Sequence, residues 1–241
     1  MNQSRIWSYF QTEGIDAFSG SSSRLRYLVD QARTLAKSVT PVALNIGVGN
    51  GFLEKDLSAR GWRIRSLDPT ESAIKRLREM GIEVDMGCIE ALPYGNDTFD
   101  VVFCSEVLEH LSDSQLNEGV KEVLRVLKPG GYFLGTVPYK EDLNNNKVIC
   151  PDCGKIFHRW GHQQNFDETK LTTIFSDGLT ILVKPRLFIN WQGLNLKRKV
   201  AAFIKLLLFY LGSHGSNETL YFKVRKWDIK NTENSKKECT V

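Results

Sequence analysis

The sequence predicts a single α/β domain built on a doubly wound, largely parallel sheet. Between residues 41 and 139, short apolar segments alternate with segments of helical periodicity, and most of the connections between them are short. Parallel strands joined by right-handed helical crossovers produce this pattern. The chain has 241 residues, of which 41% are apolar and 25% charged, so it can bury a substantial core without disulfide bonds.

Each predicted strand of this core leads into a turn or a helix. The first strand, Pro41–Ile46, runs into a glycine-rich turn, and the helices end at a glycine or at Pro-Gly. The other strands are predicted at Trp62–Leu67, Ile82–Met86, Phe99–Cys104 and Tyr132–Val137. The helices are predicted at Phe52–Arg60, Glu71–Met80 and Ser112–Leu127, the last beginning with the capping-box sequence Ser112-Asp-Ser-Gln115.

Changes in composition divide the chain into five regions. Residues 167–227 resume the alternation, with a helix at 167–175 and strands at 179–188 and 220–224, interrupted by a basic and apolar insert at 191–213. The five regions are an N-terminal helical cap (1–40), the alternating core (41–139), an insert containing cysteines and histidines (140–166), the segment that completes the sheet (167–227) and a polar tail predicted to be disordered (228–241).

The turn Gly47-Val-Gly49-Asn-Gly51 joins the first strand to the first helix of the core. Its glycines allow a ligand to approach the backbone closely, and the helix N-terminus behind it offers free N–H groups. Asp68 ends the second strand, where its carboxylate would face the same crevice and bind ribose hydroxyls. The dinucleotide fingerprint needs a third glycine where this chain has Phe52, which argues against an NAD site. A helix cap is the alternative role for Asp68, because Asp68-Pro-Thr-Glu71 precedes a helix.

Two longer motifs accompany the glycine turn and Asp68. The segment from Leu92 to Leu111 is LPYGNDTFDVVFCSEVLEHL, and Leu127-Lys-Pro-Gly-Gly131 precedes the fifth strand. Together these features resemble class I S-adenosylmethionine (SAM) methyltransferases, in particular the subgroup that contains the ubiquinone-pathway and small-molecule O-methyltransferases. The resemblance covers roughly residues 40–140. It implies SAM as the cofactor and a Rossmann-like, seven-stranded sheet whose last strand is antiparallel.

The resemblance also implies which residues contact the cofactor. At two of these positions the chain departs from the family pattern. Asn45 stands where a carboxylate usually ends the first strand, and Cys88 stands where an acid often accepts from the adenine amino group. The implied contacts are Asn45 at the end of the first strand, Gly47, Gly49 and Gly51 on the methionine part, Asp68 on the ribose, Cys88 and Ile89 beside the adenine, and Ser105 and Glu106 on the floor of the crevice.

The acceptor side is predicted at the end of the fourth strand. Methyl transfer from a sulfonium depends mostly on alignment of the acceptor. A hydroxyl acceptor also needs a base, and His110 is our candidate, with Glu109 beside it, because imidazole titrates near neutral pH. Glu106, Glu109 and His110 also have a spacing that could bind a divalent cation, which the resemblance to quinone-pathway enzymes makes worth testing. The alternative is that His110 caps or packs its helix.

The insert contains a C-x2-C-x4-H-x3-H pattern made by Cys150, Cys153, His158 and His162. This is a complete tetrahedral ligand set, and Cys-Pro-x-Cys-Gly supplies a tight turn, so the pattern predicts a structural zinc site without an open position. Two alternatives remain: the cysteines are ordinary thiols, or His162 points into the acceptor pocket as part of a lid.

Charge and apolar patterning give weaker predictions about partners. The net charge of +4 comes from 32 basic and 28 acidic residues without a long basic stripe, so nucleic acid is an unfavoured partner. Lys197-Arg-Lys199 followed by the apolar run 200–211 indicates either an interfacial helix at a membrane or a helix that packs on the core. Five cysteines and a first segment unlike a secretory signal predict a cytoplasmic protein, with peripheral membrane contact as an option.

These observations lead to one functional expectation and two rivals. We expect a SAM-dependent methyltransferase that acts on oxygen of a small-molecule, saccharide or lipid-linked acceptor. The first rival, based on Asn45 and Cys88, is a catalytically silent binding or regulatory module on the same fold. The second rival, based on the Cys/His insert and the positive charge, is a protein directed at nucleic acid, for which steeply salt-dependent binding would be diagnostic.

Overall fold

A computed structural model of the chain describes residues 4–175, 180–213, 215 and 218–228. Its main feature is a mixed seven-stranded sheet, beside which a two-stranded hairpin lies in the insert. The strands of the large sheet are β1 (Val42–Ile46), β2 (Arg63–Asp68), β3 (Val84–Met86), β4 (Phe99–Ser105), β5 (Leu127–Pro138), β8 (Thr180–Arg186) and β9 (Thr219–Arg225), and those of the hairpin are β6 (Lys147–Ile149) and β7 (Ile156–His158).

The order of the large sheet is β3-β2-β1-β4-β5-β9-β8. Strands β1 to β5 pair in parallel, whereas β9 runs antiparallel to both β5 and β8. The predicted doubly wound sheet with an antiparallel last strand is thereby confirmed. The chain moves outward from β1 through β2 to β3, then returns to place β4 on the other side of β1. This reversal creates a crevice at the carboxyl ends of β1 and β4, the usual ligand position in such sheets.

Helices cover both faces of the sheet. On one face α2 and α3 bury Leu28, Val29 and Leu53, and on the other α5 and α6 bury Val123 and Leu171. The predicted capping box at Ser112 is present, because its hydroxyl accepts from the N–H of Gln115 and the Gln115 side chain bonds back. The helices are α1 (Ser4–Thr12), α2 (Ser22–Leu35), α3 (Phe52–Ser58), α4 (Glu71–Glu79), α5 (Asp113–Val126), α6 (Glu168–Ile174) and α7 (Leu196–Tyr210), with 3-10 turns at Ile15–Ser21 and Leu108–His110.

Two stretches differ from the pattern that the sequence predicts. Strand β5 begins at Leu127, so the Lys-Pro-Gly-Gly segment lies within it rather than before it. The backbone bonds of Gly130 N–H to the Lys226 carbonyl and of Lys226 N–H to the Gly131 carbonyl extend the sheet over this segment. The hairpin of β6 and β7 is a second difference, since the sequence pattern predicts no strands in the insert.

Helix α7 lies on the surface of the molecule. None of its residues is buried in the described structure, and Leu196 and Phe203 are 77% and 61% exposed. Of the two alternatives for this segment, packing of the apolar face in the core is therefore contradicted. Over the residues that the structure describes, no helix combines the length and the apolar character that crossing a bilayer requires.

Candidate active site at the carboxyl edge of the sheet

The glycine turn after β1 has the left-handed backbone that its sequence predicts. Gly47, Gly49 and Gly51 have φ angles of +81°, +50° and +78°. A Cβ atom on Gly47 would lie 2.5 Å from Cγ2 of Val107, so this position has no room for a side chain. The turn is held to the neighbouring strand by the bond from Gly47 N–H to the Leu67 carbonyl, at 2.9 Å.

Asp68 lies beside the glycine turn, at the end of β2. One of its carboxylate oxygens accepts from Val48 N–H at 3.3 Å and the other from Thr70 N–H at 2.9 Å. Burial raises the pKa of the carboxyl above its usual range. Thr70, and not Asp68, is the N-cap residue of α4, so the helix-cap alternative does not account for Asp68. The structure thus brings Asp68 and the glycines together as predicted.

Asn45 points into the fold. Its amide nitrogen donates to Glu54 Oε1 at 2.7 Å, and Ser66 Oγ donates to the same oxygen at 2.8 Å. Glu54 is fully buried on α3, and this burial raises its pKa. Sequence reasoning missed Glu54, although a glutamate between Leu53 and Leu57 on an apolar helix face was a usable signal. Asn45 therefore supports the glycine turn through Glu54, and contact with a cofactor remains a prediction for it.

Cys88 and Ile89, the expected neighbours of an adenine, have different environments. Cys88 is exposed, and desolvation together with the negative charges of Glu90 and Asp68 raises the pKa of its thiol. Ile89 is buried against α5, where a Cβ on Gly119 would lie 3.1 Å from it. An open groove of about 860 Å³ adjoins this end of the crevice, and its walls include Thr70 and Met86.

Ser105 and Glu106 end β4, on the other side of the glycine turn. Ser105 Oγ accepts from Arg24 Nε at 3.0 Å and lies 2.8 Å from the Thr136 hydroxyl. Glu106 has a left-handed backbone with φ of +57°, which turns the chain sharply after the strand. Its carboxylate lies 3.9 Å from Arg24. Both residues therefore lie at the carboxyl end of β4 beside the crevice, and their contact with the cofactor stays a prediction.

Glu109 and His110 follow this turn, the first buried and the second half-buried, and both have side-chain atoms without hydrogen-bond partners in the described structure. Neither carboxylate oxygen of Glu109 has a hydrogen-bond partner among the described residues, and burial and the charge of Glu106 raise its pKa well above the usual range. The His110 ring bonds to the Gly161 carbonyl, while within the described structure its Nδ1 atom has no partner. Burial and the neighbouring His162 lower the pKa of His110 to about 3. His110 is therefore a neutral imidazole with a free lone pair.

The histidines of the insert join this cluster and do not join the cysteines. His162 Nδ1 bonds to Glu141, and its ring lies 4.7 Å from that of His110. His158 Nδ1 accepts from the N–H of His162 at 3.1 Å, which leaves the proton on Nε2, 3.5 Å from Glu141. In the part of the chain that the structure describes, the two groups able to hold a metal ion are Glu109-His110-His162 and Glu141-His158-His162.

This grouping corrects the predicted zinc set of Cys150, Cys153, His158 and His162. The cysteines lie at the tip of the hairpin, while the histidines face the acceptor side. The prediction failed because spacing along the chain does not show Glu141, which binds both histidines. The alternative that His162 belongs to the acceptor pocket agrees with the structure.

Backbone bonds and aromatic side chains fix the insert over the end of β4. The N–H groups of Gln163 and Gln164 both donate to the Glu109 carbonyl, at 2.7 and 3.0 Å. Two aromatic residues of α1 take part: the Trp7 ring lies edge-on to His110 with ring centroids 5.9 Å apart. The Phe10 ring packs against Trp160 of the insert with centroids 5.0 Å apart. The site thus combines a polar cluster with an aromatic wall made by α1 and the insert.

The comparisons with known proteins agree with this geometry. Residues 44–135 match the family model of a methyltransferase domain. A ubiquinone biosynthesis O-methyltransferase from Coxiella burnetii is 31% identical over 121 residues, which cover 47% of this chain and 49% of that protein. A second such enzyme, from Thiobacillus denitrificans, is 34% identical over 122 residues, covering 47% and 50%. The chain thus spans about half the length of the curated relatives that it matches.

Solved structures resemble the chain over most of its length. A chain from the complex between the Haloferax volcanii Trm112 methyltransferase activator and a putative methyltransferase is similar with a TM-score of 0.64 and 18% identity, covering 91% of this chain and 97% of that one. A putative sarcosine dimethylglycine methyltransferase from Galdieria sulphuraria is similar with a TM-score of 0.62 and 18% identity, and the match covers 86% of this chain and 86% of that one. At these identities the likeness establishes the fold, which is that of methyltransferase domains.

Proposed function

We propose that this chain is a SAM-dependent methyltransferase that methylates a hydroxyl of a small molecule. The carboxylate of Asp68, held against the glycine turn where the strand order reverses, is the observation that carries the proposal. It lies within the segment that matches a methyltransferase domain. Bound SAM would supply an activated methyl group on its sulfonium, and the chain would hold and align the reactants.

The cofactor would lie along the edge from β3 to β4. Asp68 keeps lone pairs free beyond its two backbone bonds and would accept from ribose hydroxyls. The glycine turn would contact the methionine part, Cys88 and Ile89 would flank the adenine beside the open groove, and Ser105 and Glu106 would form the floor. The Asn45–Glu54 pair would act indirectly, by fixing the strand that precedes the turn.

The acceptor would bind between the end of β4 and the insert. Trp7 and Trp160 offer an apolar wall for a ring, and the neutral His110 offers a lone pair that could accept a hydrogen bond from the acceptor hydroxyl. This favours a phenol-like acceptor, and the similar relatives are O-methyltransferases of ubiquinone biosynthesis. Glu109 and His110 stay assigned to the acceptor side, although the lowered pKa of His110 weakens it as the general base that the sequence predicts.

A divalent cation fits the same cluster. A buried carboxylate without hydrogen-bond partners in the described structure and two convergent imidazoles are suited to hold one, through Glu109, His110 and His162. When bound, such an ion would lower the pKa of an acceptor hydroxyl. Glu141 would orient His162 through the bond to its Nδ1 atom. Glu106 was expected in this set, and His162 takes its place in the convergent group.

Two finer proposals concern the surface. The exposed apolar side chains of α7, preceded by Lys197-Arg-Lys199, support peripheral contact with an anionic membrane, where a lipid-linked acceptor would be available to a cytoplasmic enzyme. We also propose that the thiol pair Cys150 and Cys153 at the tip of the insert binds zinc.

The catalytically silent module is the second candidate function. The burial of Glu54 with Asn45 favours it, because the carboxylate expected at the end of β1 is replaced by an amide that is committed to the fold. In that case the chain would bind SAM weakly or not at all, and no acceptor would be methylated.

Transfer of radiolabelled methyl from SAM to a panel of catechol-type phenols, saccharides and lipid-linked acceptors tests the proposal. We expect labelling of phenols that is stimulated by a divalent cation and abolished in Asp68→Ala. Asp56→Ala, at a half-buried carboxylate paired with Arg60, is the matched control and should keep full activity. Failure of folded protein to label any acceptor, together with weak or absent binding of SAM, would favour the silent module.

A further inference from the structure

Cys150 and Cys153 lie at the tip of the β6–β7 hairpin. The strands pair up to Ile149 and Ile156, and Cys150 N–H bonds to the Lys155 carbonyl at 2.9 Å. Gly154 N–H then closes the turn onto the Cys150 carbonyl at 2.9 Å, with Gly154 in the left-handed region at φ of +67°. The backbone therefore fixes the positions from which both thiols project.

The two cysteines are separated by two residues within this closed turn, so both thiols project from one short loop. Cys-x-x-Cys is the spacing with which two thiolates bind one zinc ion from a tight turn.

This thiol pair is half of a tetrahedral site. Zinc in structural sites takes four ligands, often all of them thiolates. Neither group of convergent metal-binding side chains found among the described residues contains a cysteine. His158 cannot complete the set, because the ladder pairs it with Lys147 at the base of the hairpin and its ring is engaged with His162 and Glu141.

The tip of the hairpin is also open to solvent and apolar. Cys153 is exposed, and Ile149 and Ile156, a directly opposed pair next to the thiols, are 65% and 62% exposed. Val148 adds a further partly exposed apolar side chain. A patch that carries two thiols and an apolar pair can meet a copy of itself across a two-fold axis, because the contact is then self-complementary.

We propose that two copies of this chain are joined tip to tip by one zinc ion bound to Cys150 and Cys153 of each copy. Four zinc–sulfur bonds form, and each thiol releases its proton to solvent as it binds. The paired isoleucines of both hairpins lose solvent contact around the ion. The bridge does not depend on the proposed methyl transfer, although β7 ends at His158 and so connects the zinc to the acceptor wall of each copy.

Metal content and mass of the full chain in solution test this proposal. Purified protein loaded with Zn²⁺ and desalted should contain about 0.5 zinc per chain and have twice the mass of one chain in size-exclusion chromatography with light scattering. Chelation should return it to the mass of one chain. Cys150→Ser and Cys153→Ser should each abolish both zinc retention and doubling, with unchanged far-UV circular dichroism showing that the variants are folded.

Cys239→Ser, which changes a cysteine in the C-terminal tail, is the matched control and should behave as the unchanged protein. A chain that binds about one zinc without doubling, loss of zinc in Cys239→Ser, or a Cys150–Cys153 disulfide that excludes zinc would each overturn the proposal. A doubled mass that persists after chelation, or in both serine variants, would also overturn the proposal. A mixture of two differently tagged copies supplies a second readout, since co-purification should require zinc.

Discussion

The two halves of the sheet edge differ in the hydrogen bonds that their buried carboxyl groups receive. On the cofactor side, both oxygens of Asp68 accept backbone N–H groups from the turns around them. On the acceptor side, Glu109 is more deeply buried and has no hydrogen-bond partner on either oxygen in the described structure. The first carboxyl is held in place by the fold itself, and the second lacks a partner that a ligand would supply.

This difference teaches how the two sites are built. The cofactor side consists of backbone: glycine conformations, strand ends and a helix N-terminus position its ligand groups before anything binds. The acceptor side consists of side chains brought from three elements, namely the turn after β4, the insert and α1. Substitutions on one side should therefore leave the other largely unaffected, and this independence can be tested.

The largest expected effect is on methyl transfer after substitution on the acceptor side. Glu109→Gln and His110→Asn remove a carboxylate and an imidazole from the convergent group, and we expect each to lower kcat/KM about 100-fold or more. Affinity for S-adenosylhomocysteine, measured by calorimetry, should change less than about 3-fold, because the cofactor side is separate. Equal losses of cofactor binding and activity would contradict the independence of the two sides.

Release of the cofactor should depend on Arg76, which connects α1 to the glycine turn. Its guanidinium donates to the Gln11 backbone and side chain and to the Gly49 carbonyl. Arg76→Gln should speed dissociation of S-adenosylhomocysteine about 10-fold, as expected for loss of charge-assisted bonds, in stopped-flow measurements. Arg78→Gln, on the same helix, is the control. Identical dissociation rates in both variants would show that the link of Arg76 between α1 and the glycine turn does not retain the cofactor.

The buried carboxyl of Glu109 should reduce stability at neutral pH. Its pKa is raised in the folded state, so the stability that the protonated group contributes is present below about pH 4.5 and is lost as pH rises towards the folded pKa. In metal-free protein, Glu109→Gln should therefore become increasingly more stable than the unchanged chain above that pH, by about 2 kcal/mol at pH 8. Glu118→Gln, at an exposed residue, should give no such trend in thermal melts. A stability difference that is independent of pH would contradict the assignment.

The smallest expected effect is on the helix behind the acceptor turn. Ser112→Ala removes the capping box of α5 and should destabilise the fold by about 1 kcal/mol in urea unfolding. Ser58→Ala, at the C-terminal residue of α3, provides a comparison without an N-cap. A loss of acceptor methylation in Ser112→Ala larger than its loss of stability would show that the cap also positions His110.

The sequence predicts the sheet and the placement of Asp68 beside the glycine turn well because both depend on local signals. Apolar runs locate β1, β2 and β4, the first of which ends in the glycine turn, and the positions of Gly47 and Asp68 at strand ends follow directly from the alternation. The acceptor side depends on contacts between distant residues, which spacing does not reveal. The C-x2-C-x4-H-x3-H spacing predicts one set of four zinc ligands. In the structure His158 and His162 instead contact Glu141, apart from the cysteines.

Two other features were outside the reach of sequence patterns for similar reasons. The apolar face of α7 suits burial or an interface equally well, and the described structure leaves it exposed. The Asn45–Glu54 pair joins a strand end to a helix nine residues later, and its meaning depends on Ser66 of the neighbouring strand. In both cases the local sequence permits several partners, and the tertiary structure selects one.

Calorimetric titration with S-adenosylhomocysteine tests the central claim most directly, using the unchanged chain, Asp68→Ala and Glu109→Gln side by side. We predict micromolar binding by the unchanged chain and by Glu109→Gln, and none by Asp68→Ala, all three being folded. Binding by Asp68→Ala equal to that of the unchanged chain, or no binding by the unchanged chain, would contradict the assignment of this edge of the sheet as a SAM site.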